Sequence, residues 1–262
     1  MELGLSGRNA LVTGSFRGTG AAIARRLAEE GARVVVHGFE PAPAEAVAAS
    51  IRTAGGAAQA VVGDLLSDAG VAELAAAAGE IDVLVANYGT ADAGDWRSPT
   101  SDWRDAYEKN VLSAVRVIHA LLPGMRERGF GRIVLLGTIG TTRPAARMPH
   151  YYAAKASLPA LTLSLAKEVA GTGITVNLVS PGLLATDEVR ASLIERARRK
   201  GRSTEWADVE REAAGSILPN LVGRIGRPEE VACVVAFLAS DRAAFVTGAN
   251  WRIDGGASDA VL

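Results

Sequence analysis

Short runs of apolar residues alternate along the chain with longer segments of helical periodicity. Seven apolar runs are typical of buried strands, at residues 9–13, 33–38, 58–62, 81–87, 131–138, 175–180 and 251–256. Segments between them, such as 45–53 and 101–128, place apolar residues three or four positions apart, as an amphipathic helix does. Alternating strands and helices form a parallel sheet covered on both faces. The pattern predicts an α/β fold, a three-layer sandwich on a doubly wound parallel sheet of about seven strands.

The first strand runs through a glycine-rich turn into the first helix. Glycines let the backbone approach a phosphate closely, and a helix N-terminus offers free N–H groups to it. The spacing Gly-x-x-x-Gly-x-Gly is one residue longer than the common dinucleotide fingerprint, so on its own it fits packing and phosphate binding equally well. Its place between strand and helix favours a dinucleotide and a Rossmann-type fold. The turn residues expected to contact the cofactor are Gly14, Ser15, Arg17, Gly18, Thr19 and Gly20.

The end of the second strand indicates which dinucleotide is bound. An acidic residue there would accept hydrogen bonds from a ribose 2′-hydroxyl and repel a 2′-phosphate, but His37, Gly38 and Phe39 occupy these positions. Arg17 is a charge-assisted partner for a 2′-phosphate, although a solvated Arg17 is the alternative and Glu40 argues mildly the other way. The sequence favours NADP(H) over NAD(H), with His37 and Gly38 bordering the cofactor.

Polar residues also follow the third and fourth strands. Ligands of open parallel sheets bind at the carboxyl ends of the strands. Asp64 lies at such an end, and capping of the next helix is its alternative role, although Ser67 suits that role better. The residues expected to border the cofactor here are Asp64, Leu65, Asn87, Tyr88 and Gly89.

Tyr151 and Lys155 lie four residues apart in a segment with helical character. Side chains at this spacing are neighbours on one helix face. A nearby ammonium lowers the pKa of a phenol, which would let Tyr151 exchange a proton near neutral pH. The pair alone also fits an accidental pairing on an ordinary helix. Pro159 removes the N–H that would bond the Lys155 carbonyl, so a kink is expected after the pair.

Two further polar residues stand among apolar neighbours. Asn110 interrupts the long helical segment 101–128, where it either satisfies nearby backbone groups or holds water at a site. Thr138 places a hydroxyl at the end of the fifth strand.

Composition and charge narrow the class of protein. The 262 residues fit a single domain, and 28 basic against 29 acidic residues give a net charge of −1, which argues against nucleic acid or an anionic membrane as partner. The one cysteine, Cys233, stands in an apolar run and is expected to be a buried, inert thiol. Three scattered histidines predict no metal site. Without a signal-peptide pattern or an apolar membrane span, a cytoplasmic protein is expected.

Together, the segments resemble the single-domain short-chain dehydrogenase/reductase family over nearly the whole chain. Within that family the sequence is most similar to the bacterial 3-oxoacyl-[acyl-carrier-protein] reductases. The matching residues are 13–20, Asp64, 86–89, Asn110, Thr138, Tyr151 with Lys155, Pro181-Gly182, 226–231 and 254–256. Thr138 stands where the family usually has serine, and Ala86 and Tyr88 alter its usual Asn-Asn-Ala-Gly.

The resemblance implies a catalytic tetrad and a reaction. Tyr151 would protonate the carbonyl oxygen as hydride arrives, and Lys155 would hold the nicotinamide ribose and lower the pKa of Tyr151. Asn110 would order a water in a proton relay, and Thr138 would hydrogen-bond the substrate oxygen. The remaining cofactor contacts implied are Asp64 with the adenine, Thr186 with the carboxamide, and Pro181, Gly182 and Leu184.

The substrate region is less well specified. An apolar pocket is expected to involve Trp96, Thr138, Gly140, Met148 and Leu183, with His150 at its rim and a lid at about 183–218. Arg126 and Arg128 are candidates for attracting an acidic carrier protein. Each of these residues is also compatible with core packing or a solvated surface. Members of the family commonly assemble as dimers or tetramers, which predicts a homo-oligomer.

Two functions stay open, whereas epimerases or dehydratases of the extended branch and enoyl reductases of the divergent branch are disfavoured. An NADP-dependent carbonyl reductase or alcohol dehydrogenase is favoured by the intact tetrad. A cofactor-binding regulatory or scaffold protein shares the same fold, because fold alone does not establish activity. Enoyl reductases of the divergent branch space their tyrosine and lysine farther apart than Tyr151 and Lys155.

Overall fold

A computed structural model describes residues 2–217 and 219–258 of the chain. Seven strands form one parallel sheet in the order β3-β2-β1-β4-β5-β6-β7. Their bounds are β1 Asn9–Val12, β2 Arg33–Gly38, β3 Ala57–Val62, β4 Val83–Ala86, β5 Gly131–Leu136, β6 Ile174–Pro181 and β7 Asn250–Ile253. The predicted doubly wound parallel sheet is confirmed, and each predicted strand overlaps an observed one.

Ten α-helices cover the sheet and its carboxyl edge in the described residues. They are α1 Gly18–Glu29, α2 Pro41–Thr53, α3 Asp68–Ala78, α4 Thr100–Tyr107, α5 Ser113–Arg128, α6 Pro149–Lys155, α7 Leu158–Glu168, α8 Asp187–Arg199, α9 Trp206–Ser216 and α10 Pro228–Ala239. The buried residues of α1, α2 and α10 belong to the core on one face, and those of α3, α5 and α7 to the core on the other.

The alternation of side chains along a strand builds these two cores. In β1, Ala10 and Val12 pack on one face of the sheet, whereas Leu11 packs on the other. Every residue of β4, β5 and β6 is buried, as expected of central parallel strands. Burial of a leucine such as Leu11 contributes about 1.5–3 kcal/mol to the free energy of folding. The cores thus fix the carboxyl ends of the strands, where the predicted site lies.

Two interruptions modify the predicted helices. The segment 101–128 contains a π-helical turn at Glu108–Leu112 between α4 and α5, so it is not one regular helix. Pro159 ends the predicted Tyr151 helix, because α6 stops at Lys155 and α7 starts anew at Leu158 with Pro159 in its first turn. The expected kink is therefore a break between two helices.

The surface corrects one further expectation. Cys233 is exposed, because it lies on the solvent-facing side of α10 while Ala232 and Val235 face the core. The helices formed by residues 2–217 and 219–258 are all too short or too polar to span a bilayer.

Candidate active site

Hydrogen bonds with His37 of β2 hold the glycine-rich turn in place. Gly14 has φ +62°, and its N–H donates to His37 Nδ1 at 3.0 Å. Ser15 and His37 bond each other twice, through Ser15 N–H to the His37 carbonyl at 2.9 Å and His37 N–H to Ser15 Oγ at 3.0 Å. Ser15 Oγ also donates to the Val12 carbonyl at 2.7 Å. The turn therefore has a fixed shape before any ligand binds.

His37 is a buried support for this turn, which corrects its expected place at the cofactor. Its Nδ1 accepts from Gly14, so the proton lies on Nε2, which faces the Gly63 carbonyl at 3.0 Å. Burial lowers the pKa of His37, partly opposed by the bond to Gly63. Both ring nitrogens are used within the protein, and the ring is fully buried. The side chain of His37 thus supports the turn and leaves no ring nitrogen unpaired for a ligand.

Asn87 holds the same turn from the side of β4. Its Nδ2 donates to the carbonyls of Thr13 and Gly14 at 2.9 and 3.2 Å. Thr13 Oγ1 accepts from the N–H groups of Asn87 and Tyr88 at 3.0 and 3.1 Å. A Cβ at Gly20 would lie 2.6 Å from Asn87 Nδ2, so only glycine fits there. Gly20 and the Asn87 side chain thus serve packing of the turn.

An aromatic cluster borders the turn on its open side. The Phe39 ring lies 4.9 Å from that of Tyr88 and 6.3 Å from that of Phe16, centroid to centroid. Arg17 lies with its guanidinium 5.1 Å from the Phe16 ring and pairs with Glu188 at 3.4 Å. Arg17 is thus close to the turn but already has an acidic partner.

Asp64 and Leu65, the two residues predicted to border the cofactor after β3, differ in exposure to solvent. Asp64 is exposed, and its Oδ1 accepts from the Leu66 N–H at 2.9 Å. Ser67 caps α3, as expected, so Asp64 is not needed for that. The Leu65 side chain is fully buried in the core, which leaves only its backbone to border a ligand. Gly38 packs closely against Ala44 and Phe16.

Lys155 and Tyr151 lie on α6, where the side chains are largely withdrawn from water. Lys155 Nζ donates to the Leu136 carbonyl at 2.8 Å, and burial lowers the pKa of Lys155 to about 8. Burial raises the pKa of Tyr151 to about 12, although a hydrogen bond with Thr138 lowers it in part. The expected lowering of the Tyr151 pKa by Lys155 is therefore wrong for this structure, because loss of hydration outweighs other effects on the phenol.

Asn110 lies in the π-helical turn and is almost fully buried. Its Nδ2 donates to the carbonyls of Ala106 and Thr90 at 2.9 and 3.0 Å. Among the residues that the structure describes, its Oδ1 has no hydrogen-bond partner. A Cβ at Gly89 would collide with this Oδ1 and would lie 3.0 Å from Lys155 Nζ. Gly89 thus leaves space beside both groups, and Asn110 Oδ1 is available to a polar ligand or water.

Thr138 lies at the end of β5 and contacts the tyrosine. Its Oγ1 accepts from the Gly140 N–H at 3.1 Å and caps a short 3₁₀ turn at Ile139–Thr141. A Cβ at Gly140 would overlap the Tyr152 ring. Gly140 therefore makes room for Tyr152, and this side of the predicted substrate pocket is filled by that ring.

The loop before α6 differs from the predicted pocket wall. Met148 has φ +59°, and its N–H donates to the Gly94 carbonyl at 2.9 Å. His150 is only 2% exposed, so it is not at a rim; it packs on Trp103 with centroids 6.1 Å apart. Trp96 is 73% exposed and contacts Trp103 with tilted rings 5.5 Å apart between centroids, so it does not line a closed pocket.

The chain after β6 lies close to the glycine turn. Pro181 pairs with Ile253 of β7, and Gly182 packs on Asp254. Thr186 Oγ1 caps α8 by accepting from Val189 N–H at 3.3 Å, and a Cβ at Gly18 would lie 3.6 Å from its methyl group.

Leu183 and Leu184 line a cavity of about 120 Å³. Asn110, Thr138, Tyr151 and Lys155 are not among its lining residues. Leu184 is buried in the core, so its side chain does not face the groove. The predicted lid corresponds to α8 and α9, and Leu218 of that segment is outside the described residues.

The two arginines expected to attract a carrier lie elsewhere and have partners. Arg126 pairs with Glu168 at 2.6 Å. Arg128 donates to the Ile81 carbonyl at 2.6 Å and lies 3.6 Å from Asp82. Ile81 and Asp82 precede β4, so these arginines are at the amino edge of the sheet, opposite Tyr151. The structure therefore removes them as carrier contacts near the site.

Sequence patterns missed the contribution of Thr13 and Phe16. The only signals for them were a hydroxyl just before Gly14 and an aromatic side chain inside the turn. Within the described residues, no group of three His, Cys, Asp or Glu side chains is arranged to hold a metal ion.

Comparison with known proteins agrees with this geometry. A family profile described as enoyl-(acyl carrier protein) reductase matches residues 14–258. The 3-oxoacyl-[acyl-carrier-protein] reductase of Escherichia coli K12 is 37% identical over 256 residues, covering 97% of this chain and 98% of that protein.

Two solved structures similar to this chain are also reductases. L-sorbose reductase from Gluconobacter frateurii, complexed with NADPH and L-sorbose, has a TM-score of 0.93 and 31% identity over the full length of both chains. A 3-oxoacyl (acyl-carrier-protein) reductase from Agrobacterium tumefaciens C58 with NADP bound has a TM-score of 0.85 and 36% identity, covering 97% of this chain and 96% of that one. The chain belongs to the short-chain dehydrogenase/reductase family and is an NAD(P)-dependent oxidoreductase that acts on a CH–OH or carbonyl group.

Proposed function

We propose that the protein reduces a ketone with NADPH, and that Tyr151 donates the proton. The observation that carries this proposal is the group of Tyr151, Thr138, Lys155 and Asn110 at the carboxyl edge of the sheet, in which Lys155 and Asn110 are buried and the other two are half-buried. A phenol with a pKa of about 12 stays protonated at working pH. A protonated phenol suits the reductive direction, in which a carbonyl oxygen gains negative charge and needs a donor.

Each residue has a distinct part in this proposal. Thr138 hydrogen-bonds Tyr151 and orients the phenol towards the substrate oxygen. Lys155 provides a positive charge that stabilises the developing alkoxide and binds a ribose hydroxyl. Asn110 Oδ1 orders a water through which a proton is returned to Tyr151. The bound nicotinamide supplies the hydride.

The groove fits a dinucleotide in the structure. Arg17, the N-cap residue of α1, makes no side-chain capping bond to described residues, so the first N–H groups of α1 are available to bind a pyrophosphate. Gly18 has φ +53° and leaves this approach open. Arg17, Gly18, Asp64, Lys155 and Thr186 would hold the cofactor. NADP is favoured over NAD for two reasons. The residue that follows β2 is Phe39 and not an acidic residue, and Arg17 lies in the glycine turn.

Relatives support this choice of cofactor and reaction. The sorbose reductase binds NADPH with a ketose, and the Agrobacterium reductase binds NADP. An enoyl reduction is less well supported, since Tyr151 and Lys155 keep the four-residue spacing and Tyr151 contacts Thr138. The competing regulatory role is not favoured, because Asn110 Oδ1 and Lys155 carry a cost in stability that a mere binding fold does not need.

The test is oxidation of NADPH and of NADH, followed by absorbance, with a panel of activated ketones and 3-oxoacyl thioesters. We expect turnover with at least one ketone and a kcat/KM at least tenfold higher with NADPH. Reduction of an enoyl thioester without reduction of ketones contradicts the proposal. A tight NADPH complex without turnover supports the regulatory role.

The finer predictions on organisation belong to the same proposal. We infer one catalytic domain over 1–262, with α8 and α9 as a lid that closes over the substrate. The buried residues of these two helices, such as Ala197 and Val209, belong to neither sheet core. A homo-oligomer in the cytoplasm remains our prediction, and light scattering measures the first part of it.

A further inference from the structure

Four basic side chains line a shallow cavity of about 440 Å³ between the loop before α6 and the end of α8. Arg147 comes from the loop before α6. Arg196 and Arg199 come from the last turn of α8, and Lys200 follows it. All four are exposed, and no acidic residue of the described ranges lines the cavity. These residues are called the basic cluster below.

The charges of the basic cluster are largely uncompensated. In the described part of the chain, Arg199 has a carboxylate at 4.0 Å, from Glu195, and the other three have none within that distance. The neighbouring Arg198 pairs with Glu195 at 2.6 Å instead. The helix dipole explains basic residues at the end of α8, but it does not explain Arg147, which belongs to another element. Two elements thus bring like charges together against their mutual repulsion.

The basic cluster lies within reach of the reaction site. Arg147 precedes Tyr151 by four residues, so their Cα atoms are at most about 14 Å apart. The other end of α8 starts at Thr186, beside Gly18 of the glycine turn. The helix therefore connects the cofactor groove with the basic cluster, and a substrate at Tyr151 can extend towards Arg147.

We propose that the basic cluster binds a phosphate group of the substrate, carried on an arm whose ketone reaches Tyr151. This proposal rests on the proposed ketone reduction. Guanidinium groups bind phosphate oxygens through paired N–H donors, and three arginines with a lysine match a dianionic phosphate better than a single carboxylate. A phosphate monoester on a ketone is the shared chemistry, whether the arm is a pantetheine thioester or a sugar.

The test compares ketones that differ only in phosphate. One pair is acetoacetyl-4′-phosphopantetheine and acetoacetyl-pantetheine; the other is fructose 6-phosphate and fructose. For the native enzyme we expect the phosphorylated member of one pair to have the lower KM, and that pair identifies the arm. In Arg147→Ala and Arg196→Ala, KM for this substrate rises five- to tenfold, while kcat and the KM of the unphosphorylated partner are unchanged.

Arg198→Ala is the matched control, because it removes a charge from the same helix turn outside the basic cluster. Equal KM values within both pairs, or equal effects of Arg196→Ala and Arg198→Ala, overturn the proposal. A rise in the NADPH dissociation constant of the Arg147 or Arg196 variants overturns it too, since it assigns the basic cluster to the cofactor. If no ketone is reduced at all, the proposed function fails. Calorimetric binding of the phosphorylated compounds, lost in Arg196→Ala, then still tests the basic cluster.

Discussion

Two groups of buried and half-buried polar residues lie at the carboxyl edge of the sheet, and they differ in how fully their hydrogen-bonding groups are paired within the protein. Around the glycine turn, Ser15, His37 and Asn87 form hydrogen bonds within the protein. Around Tyr151, Asn110 Oδ1 has no partner, and burial shifts the pKa of Lys155 and Tyr151 toward their uncharged forms.

The difference separates positioning from chemistry. A buried polar group whose donors and acceptors are all paired within the protein holds the backbone in place. It has no hydrogen-bonding capacity left for a ligand. A group buried at a cost is maintained because function requires it, and shifted pKa values concentrate at such sites. The turn is therefore built before the cofactor binds, whereas the group around Tyr151 is completed by what binds there.

The largest effect is expected from Tyr151→Phe. This variant removes the hydroxyl that we propose as proton donor but retains the ring, so kcat for ketone reduction should fall at least 10³-fold while the NADPH dissociation constant stays within twofold. Stopped-flow turnover and fluorescence titration measure the two quantities. A kcat within tenfold of the native value shows that another group donates the proton.

Lys155→Met tests how much folding stability is lost by burying the Lys155 ammonium beside Tyr151. The variant should lose at least 10²-fold in kcat/KM and gain about 1–3 kcal/mol of stability at pH 7, since a buried charge is replaced by an apolar side chain of similar length. Denaturant melts of native and variant protein provide the measurement. A loss of stability at pH 7 contradicts this account of Lys155.

The pH dependence of that gain has a definite sign. The pKa of Lys155 is about 8 in the folded protein and about 10.5 in the unfolded chain. Between these values the unfolded chain binds more protons, so stability of the native protein rises with pH and the advantage of Lys155→Met fades by about pH 10.5. Melts at pH 7 and pH 10 check the trend.

His37→Ala tests the satisfied group. It leaves the Gly14 N–H and the Gly63 carbonyl without partners, which should cost about 2–4 kcal/mol and raise the NADPH dissociation constant about tenfold. Because burial lowers the pKa of His37, native stability should also fall as pH drops below 6.5, and this slope should weaken in the variant. His37→Gln, which can both donate and accept, serves as the control and should recover part of the loss.

The smallest effect is expected from Glu188→Gln. The exposed ion pair with Arg17 contributes little to stability, so the melting temperature should hardly change. Arg17 becomes free for a 2′-phosphate, and the KM for NADPH should fall two- to fivefold with no change for NADH. An equal change for both cofactors would place Arg17 away from the 2′-phosphate.

Sequence reasoning predicted the fold well because its signals are local. The apolar run of β5 and the glycine turn before α1 are each recognised from residues close together in the chain. The strand order was not predicted, because doubly wound parallel sheets occur with more than one order. An interruption near Pro159 was foreseen from a local signal, although as a kink and not as a break between α6 and α7, whereas the π-helical turn at Glu108–Leu112 was not foreseen. It depends on hydrogen bonds that no apolar periodicity reveals.

The site was predicted less completely, because its details depend on contacts between distant segments. The chain pattern does not show that both nitrogens of His37 are used by Gly14 and Gly63, or that Trp103 covers His150. It also gives no measure of hydration, which decides the pKa of Tyr151. Placement of Arg126 and Arg128 at the amino edge likewise requires the sheet to be assembled.

The π-helical turn at Glu108–Leu112 has a consequence for protein engineering. Such a turn accommodates one residue more than an α-helix of the same rise. Deleting one residue there would restore regular winding and make the helix a better one, yet it would rotate Asn110 by about 100° relative to α5. The Asn110 side chain would then point away from Gly89 and Lys155. The same deletion would therefore make the helix more regular and abolish the activity.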